Sequence, residues 1–267
     1  MNLYTIDCVL QYKINTTTNM LLQIQAAQHP EQQILNEQLE FHPAVKWHEF
    51  SDATHQNRYV RFNVEPCDVF EIRYTATVQK QASIDPSQFK ELEIADLPNE
   101  VLPYLLASRY CDSEKLVGMA TRTFDEMLKG YTRIKAIEQW IYAQILYESG
   151  SSDGNTVASD VLIQRAGVCR DFAHLGIAIC RALGIPARMV VGYVDIENFS
   201  PDFHAIFEVY LEGGWVLFDA TRLANPQDLI RIATGIDASD VAFATYYGDI
   251  ELISMQPLII PSNESAA

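Results

Sequence analysis

The sequence predicts an α+β protein: an antiparallel β-sandwich comes first, followed by a unit that combines helices with antiparallel strands. Three observations lead to that class. Residues 2 to 80 carry several strand-like runs and no helical period, residues 81 to 103 are polar and contain Pro86, Pro98 and Pro103, and the pattern beyond them turns helical before returning to strands. We therefore expect a sandwich over 1–82, a linker over 83–100 and a second unit over 101–267. With 267 residues, 48% of them hydrophobic, the chain is long enough to bury a sizeable core. Only the tail from Ser262 to Ala267 reads as disordered.

In the first unit the expected strands are Leu3 to Ile14, Met20 to Ala27, Gln32 to Phe41, Val45 to Phe50, Arg58 to Val64 and Val69 to Val78. Alternation is clearest from Phe70 to Val78, and Asn15 to Asn19, His29-Pro30 and Glu65-Pro66 supply the turns. His29, His42, His48 and His55 fall in turn or strand-edge contexts and receive no chemical role. Past the linker, Ser113 to Leu128 and Arg133 to Tyr147 read as helices, the second with apolar positions at 134, 137, 141 and 145 and Thr132 as its cap. A Gly, Ser and Asp-rich loop over Glu148 to Asn155 follows.

The best-marked element is the helix that begins near Val168. Its apolar residues at 168, 172, 175, 179 and 183 repeat one helical face, and Gly184 and Pro186 end it. Ala173, Ile177, Ala178 and Cys180 make the remaining faces apolar as well, so the helix is expected to be central and buried. Only its first turn is polar. Cys169 stands there just past Gly167, where unpaired backbone N–H groups and the helix dipole favour a thiolate, which makes it a candidate nucleophile. Beyond the helix we expect strands over Arg188 to Val194, Phe203 to Leu211, Trp215 to Thr221, Val241 to Tyr247 and Glu251 to Ile260, the second and third of these joined as a hairpin by Glu212-Gly213-Gly214.

Charge and cysteine usage exclude several function classes. A formal net charge of −16 argues against nucleic-acid and anionic-membrane partners, both of which call for a cationic surface. No apolar run reaches the roughly 20 residues of a membrane span, and the start Met1 to Asp7 lacks signal-peptide character, so a cytoplasmic location is expected. Cys8, Cys67, Cys111, Cys169 and Cys180 are scattered without a CxxC pair, which signals neither a disulfide framework nor a metal site, and no cofactor is expected.

A cysteine nucleophile needs a base and a group that orients the base. His174 follows Cys169 by about one and a half turns of the same helix and points elsewhere, which suits a structural role. His204 is the better base. If Tyr210 pairs with Trp215 in the hairpin, Glu208 faces Leu217, Ile206 faces Asp219 and His204 faces Thr221; His204 and Asp219 are then diagonal neighbours roughly 7 to 8 Å apart at the backbone. A slip of one residue would turn Asp219 to the other face, so the alternative of a sheet histidine and an unrelated strand-end aspartate stays open at this point.

The run Gly167-Val168-Cys169-Arg170-Asp171-Phe172-Ala173-His174-Leu175, with Leu183 to Arg188 and Gly192-Tyr193, resembles the transglutaminase-like superfamily of thiol enzymes in its bacterial branch. The likeness continues through His204-Ala205, Glu208-Val209-Tyr210, Gly214-Trp215 and Phe218-Asp219-Ala220-Thr221, and the order Cys, His, Asp agrees with that family. The resemblance implies a papain-like core over roughly 101 to 255 behind an N-terminal β-sandwich. It also implies Cys169 as nucleophile, His204 as base and Asp219 as its orienting partner, with the His204 Nδ1 turned to Asp219 and Nε2 to Cys169.

By the same likeness the Cys169 N–H and a group near Tyr147 form the oxyanion site, His174 and Asp171 stand behind it, and Tyr193 and Trp215 touch the substrate. Tyr147 can equally be the last aromatic of a helix packed on the core. The sequence departs from the family pattern at Ile206, Ala220 and Ile236, and Ile206 and Ile236 are expected to make the site more apolar. The implied reaction is attack on a peptide or protein amide through a thioester. The absence of a separate calcium-ligand cluster of the kind found in animal cross-linking enzymes tips the reading towards hydrolysis rather than transfer to an amine, and a non-catalytic binding member is the remaining alternative.

Overall fold

The computed structural model describes residues 2–81, 84–197 and 199–262; of the tail expected to be disordered, Ser262 ends a strand paired with Leu3, and the rest lies outside the described residues. In chain order the elements are β1 (Asn2–Ile14), β2 (Thr18–Leu22), β3 (Gln32–His42), β4 (Trp47–Ser51), β5 (Arg58–Val64), β6 (Cys67–Lys80), α1 (Val117–Phe124), α2 (Tyr131–Gln144), β7 (Leu146–Tyr147), α3 (Ala158–Gln164), β8 (Ala166–Gly167) and α4 (Cys169–Ala182). They are followed by β9 (Ala187–Tyr193), β10 (His204–Leu211), β11 (Gly214–Phe218), β12 (Ile230–Gly235), β13 (Ala244–Tyr247) and β14 (Ile250–Ser262).

The sandwich has two antiparallel sheets, ordered β14-β1-β6-β3 and β13-β2-β5-β4. Alternation builds it: Tyr4, Ile6, Cys8, Leu10 and Tyr12 of β1 and Phe70, Ile72, Tyr74, Ala76 and Val78 of β6 are buried on one face, against Met20, Leu22, Val60 and Phe62 of the other sheet. Both sheets take an outer strand from the far end of the chain. This corrects the expected boundary, because 101–267 is not one unit: β13 and β14 complete the N-terminal sandwich. Their own short-period alternation could not name their partners, which lie more than 200 residues away.

The expected linker is also a packed element. Leu97, Val101 and Tyr104 form a small core of their own, and Glu91 pairs with the buried Arg133 while accepting the Gly130 N–H, which starts α2 at Tyr131.

The second unit sets α4 against a sheet ordered β11-β10-β9-β12. Every residue from Asp171 to Arg181 is buried, as the apolar faces of this helix require. Gly176 permits the close approach, since a Cβ there would lie 2.7 Å from the Phe207 ring of β10. Strand β12 was not expected from the sequence, although Ile230 to Thr234 is rich in β-branched residues; it pairs with β9 and docks on the sandwich. There Arg231 exchanges backbone and side-chain hydrogen bonds with Gln32, Thr234 does the same with Asn57, and the Lys80 ammonium donates to the Leu229 carbonyl.

Behind that junction the fully buried Glu208 carboxylate accepts from Arg188 Nε at 2.6 Å and Arg231 Nη2 at 2.7 Å. Burial opposes its charge, but the two guanidinium groups hold its pKa down at about 2. Replacing Glu208 by Gln leaves Arg188 without its carboxylate partner and Arg231 with only the longer 3.6 Å pairing to Glu31. We expect a loss of about 3 kcal/mol in chemical denaturation, compared with less than about 0.5 kcal/mol for an exposed control such as Glu65→Gln. Equal stability of the two variants would show that the cluster does not hold the units together.

Candidate active site

The site forms where the N-terminus of α4 meets the start of β10. Gly167 and Asp171 fix the helix start: the Asp171 carboxylate accepts the Val168 N–H at 2.8 Å and is bound by the Arg170 guanidinium and the Ser152 hydroxyl. A Cβ on Gly167 would lie 2.8 Å from the Asp171 Cβ, so a glycine is required for this cap to close. Cys169 is thereby held, half-buried, as the first residue of the helix.

On β10, His204 pairs with Gly192 of β9 and is 2% exposed. The hairpin has the expected register, with Tyr210 opposite Trp215 and Glu208 opposite Leu217, and its ladder ends at Phe207 and Phe218. Asp219 therefore lies one residue past the ladder. Its Oδ1 accepts from the Thr221 N–H at 2.9 Å and the Thr221 hydroxyl at 2.6 Å, which turns its Oδ2 to His204.

The bond to His204 differs from the expectation in one respect. Nε2, not Nδ1, meets Asp219 Oδ2, at 2.9 Å, and Nδ1 is left for Cys169. The diagonal crossing to Asp219 takes up the farther ring nitrogen, which leaves the nearer one for the hydrogen bond with Cys169. Burial works against a charged imidazole here, yet the hydrogen bonds to Asp219 and Cys169 and the charges of both push the His204 pKa up to about 10. The Asp219 carboxylate is held below its ordinary value despite its burial, by His204 and by the Thr221 bonds.

Tyr147 does not end a helix. The helix stops at Gln144, the chain turns extended, and Leu146 and Tyr147 pair in parallel with Ala166 and Gly167, just before Cys169. Its hydroxyl bonds both the backbone and the side chain of Cys169. Burial, followed by the charges of Cys169 and Asp202, pushes its pKa up to about 12, so it remains a donor.

His174 is wholly buried, stacks on Tyr110 at 5.0 Å between centroids and accepts the Ala238 N–H through Nε2. Burial pushes its pKa down to about 4, and the neutral ring does not approach Cys169 as a base would.

Two expected substrate contacts are corrected. Tyr193 is completely buried, donates to the Ile24 carbonyl at 2.6 Å and stacks with Tyr74, so it joins the units instead of facing a ligand. Trp215 pairs opposite Tyr210, six residues from His204 and thus about 20 Å away along the strand, where it covers the Arg188 guanidinium at 3.9 Å. Ile206 and Ile236 also pack elsewhere, in separate small cores.

The apolar surroundings come from residues that carry no chemical signal in sequence. A cavity of about 460 Å3 opens beside Cys169 and His204, with Met189, Val191, Ile232, Val241, Phe243 and Met255 in its walls. Tyr110 also lines it and is held by Asp237, whose carboxylate accepts the Tyr110 N–H. Among the described residues no cluster of ligating side chains has the make-up of a metal site, and no helix is long and apolar enough to cross a membrane.

Comparison with known proteins agrees with this geometry. A family model described as the transglutaminase-like superfamily matches residues 118–220, and one described as the bacterial transglutaminase N-terminal domain matches residues 2–100. A crystal structure from Cytophaga hutchinsonii, described as a "putative cysteine protease", superposes with a TM-score of 0.93 at 39% identity, covering 100% of this chain and 92% of that one. The protein ML0607 of Mycobacterium leprae is 25% identical over 216 residues, 71% of this chain and 75% of its own length. The human kyphoscoliosis peptidase is 28% identical over 153 residues, only 22% of its length. Two family models that between them span both units, and a solved relative that matches from end to end, lead to one conclusion: this chain belongs to the transglutaminase-like superfamily.

Proposed function

We propose that the protein is a thiol hydrolase of amide or peptide bonds that works through a Cys169 thioester. The observation that carries this reading is the convergence of a helix-start thiol, a buried imidazole and a carboxylate that holds the imidazole at 2.9 Å, all at one end of an apolar cavity. The Cys169 thiolate attacks the amide carbonyl. The Cys169 N–H and the Tyr147 hydroxyl stabilise the oxyanion, once the hydroxyl has turned from the cysteine to the substrate. His204 Nδ1 then protonates the departing amine, the C–N bond breaks and a thioester remains. Water attacks the thioester, giving its proton back to Nδ1, and the acid leaves with the thiol restored. Asp219 fixes the ring and favours its charged form, and Asp171 keeps the helix start in place. Hydrolysis is preferred to transfer because the end-to-end relative is described as a protease.

Alkylation tests the nucleophile. With iodoacetamide near neutral pH, Cys169 is expected to react first, at least tenfold faster than the half-buried Cys67, whose thiol burial and the Asp68 charge push up. Cys8, Cys111 and Cys180 are fully enclosed and should remain unmodified in the folded protein. Labelling of Cys67 at the rate of Cys169 would remove the basis for the assignment. Incubating a peptide pool with a labelled primary amine separates the two outcomes: new carboxyl ends support hydrolysis, while amine incorporated without cleavage products overturns it.

A further inference from the structure

The cavity beside Cys169 and His204 is walled by both units. Val191 of β9 and Ile232 of β12 line it from the second unit, while Ala244 of β13 and Met255 of β14 line it from the sandwich. Ala244 stands opposite Leu22 and Met255 opposite Leu10, and both of those partners are buried inner-face residues. The cavity therefore enters the gap between the outer strands of the two sandwich sheets. The return of the distant β13 and β14 to the sandwich is what builds that wall.

The sequence keeps this space open. Ala205, Ala238, Ala242 and Ala244 all line it, each with a single methyl group where a larger apolar side chain would add buried area. An unfilled apolar space costs stability, and filling one is a common route to a gain. Here it is retained, and the Cys169 thiol stands at one end of it.

The polar groups of the wall are already engaged. The Arg170 guanidinium is bound by Asp171, Ser152 and the Asp153 carbonyl, Gln23 is hydrogen-bonded to Tyr59, and the Tyr110 hydroxyl donates to the Gly154 carbonyl. Asp202 lies two residues before His204 and faces its charge, at the Cys169 end. A charged or carboxamide group carried past that end would lose its water without gaining a partner. Size selects the same kind of occupant. An apolar cavity of about 150 Å3 is enough to hold a benzene molecule, and this one has about 460 Å3. Met189 and Met255, flexible and polarisable, let the walls adapt to a ring.

We propose that this cavity is the specificity site for the acyl donor and takes a large apolar side chain, aromatic or branched aliphatic, with Ala244 and Met255 of the sandwich setting how large it can be. The proposal rests on Cys169 being the nucleophile, and it gives the N-terminal sandwich a direct part in substrate choice.

The test uses short peptidyl vinyl sulfones that differ at one side chain, phenylalanine or leucine against alanine, glutamine, glutamate and lysine, varied in turn at each position before the electrophile. The second-order rate of Cys169 adduct formation is read by mass spectrometry. In the wild type, phenylalanine or leucine at one position is expected to exceed alanine at least about tenfold, with glutamine, glutamate and lysine no faster than alanine. If no position prefers the large apolar side chain, the proposal is overturned. Ala244→Leu narrows the cavity: the phenylalanine-to-alanine ratio should fall about fivefold or more, with a Tm equal to or above that of the wild type because the added methyl groups enter open space. Met255→Ala widens it, and there the rate with 2-naphthylalanine should rise relative to phenylalanine. If Ala244→Leu does not fold, Met255→Ala decides alone, and a naphthylalanine-to-phenylalanine ratio equal to that of the wild type overturns the proposal. Adducts at Cys169 with wild-type ratios in both variants also overturn it, while leaving the thiol reading intact. If neither the probes nor iodoacetamide favour Cys169 over Cys67, the reading beneath the proposal fails and the proposal falls with it.

Discussion

Cys169→Ala is expected to abolish amide turnover, a loss of at least about 10⁴-fold, with the fold retained. On the proposed mechanism the change removes the atom that forms the acyl-enzyme, and neither His204 nor the oxyanion donors can substitute for it. Stability should change by less than about 1 kcal/mol, because the sulfur lies half-buried at a helix start, at the margin of the core. Acylation by p-nitrophenyl acetate, followed by intact mass, gives a readout that does not depend on knowing the natural substrate: the wild type should carry one acetyl group and Cys169→Ala none. Cys180→Ala is the control, since that thiol is enclosed near the far end of α4 and its burial pushes its pKa upward. Retained turnover in Cys169→Ala would reject the mechanism outright. His204→Ala is a poorer probe than it looks from the sequence, because it strands the buried Asp219 carboxylate without its cation and is expected to lower stability together with activity.

The parts of this site that could be read from sequence are those fixed by local rules. The apolar spacing of α4, the position of Cys169 in its first turn and the two-residue period of the hairpin all act over a few residues, and the hairpin adopts the pairing of Tyr210 with Trp215 on which the sequence reading was conditional. The same reasoning failed where the outcome depends on distant partners. Tyr193 reads as an aromatic beside the site, yet Ile24 and Tyr74 of the sandwich draw it into the core. Trp215 belongs to the hairpin but stands at its far end. Strands β13 and β14 have ordinary strand patterns, and nothing local says that β2 and β1 receive them. The ring orientation of His204 was likewise a matter of reach between two elements, which spacing along one strand does not encode.

Asp219→Asn is expected to lower kcat/KM by about 10³- to 10⁴-fold, more than the loss of one charge would suggest. Asp219 Oδ1 already accepts two short bonds from Thr221, so the single oxygen of an asparagine is held at that position and the amide nitrogen takes the place of Oδ2. That nitrogen then points donors at His204 Nε2. The ring must answer as an acceptor there, which puts its proton on Nδ1, facing Cys169, where it can no longer take the thiol proton. The pH profile should move in a defined direction. In the wild type the His204 pKa lies near 10 because, against burial, Asp219 and Cys169 favour the imidazolium; without the carboxylate it falls, and the alkaline limb of the residual activity shifts to lower pH. Stability follows the same signs. The raised His204 pKa contributes stability that is fully present below the ordinary 6.5 and is lost as pH rises through about 10, and the depressed Asp219 pKa contributes stability that is present above the ordinary 3.8 and is lost as pH falls. The pair therefore stabilises the native hairpin most between about pH 4 and 6.5, a gain that wild type should show over Asp219→Asn in denaturation curves and that should shrink towards pH 10. An alkaline limb that stays in place in Asp219→Asn, with kcat/KM lowered, would mean that the carboxylate orients the ring without tuning its charge. An unchanged kcat/KM would remove Asp219 from the mechanism.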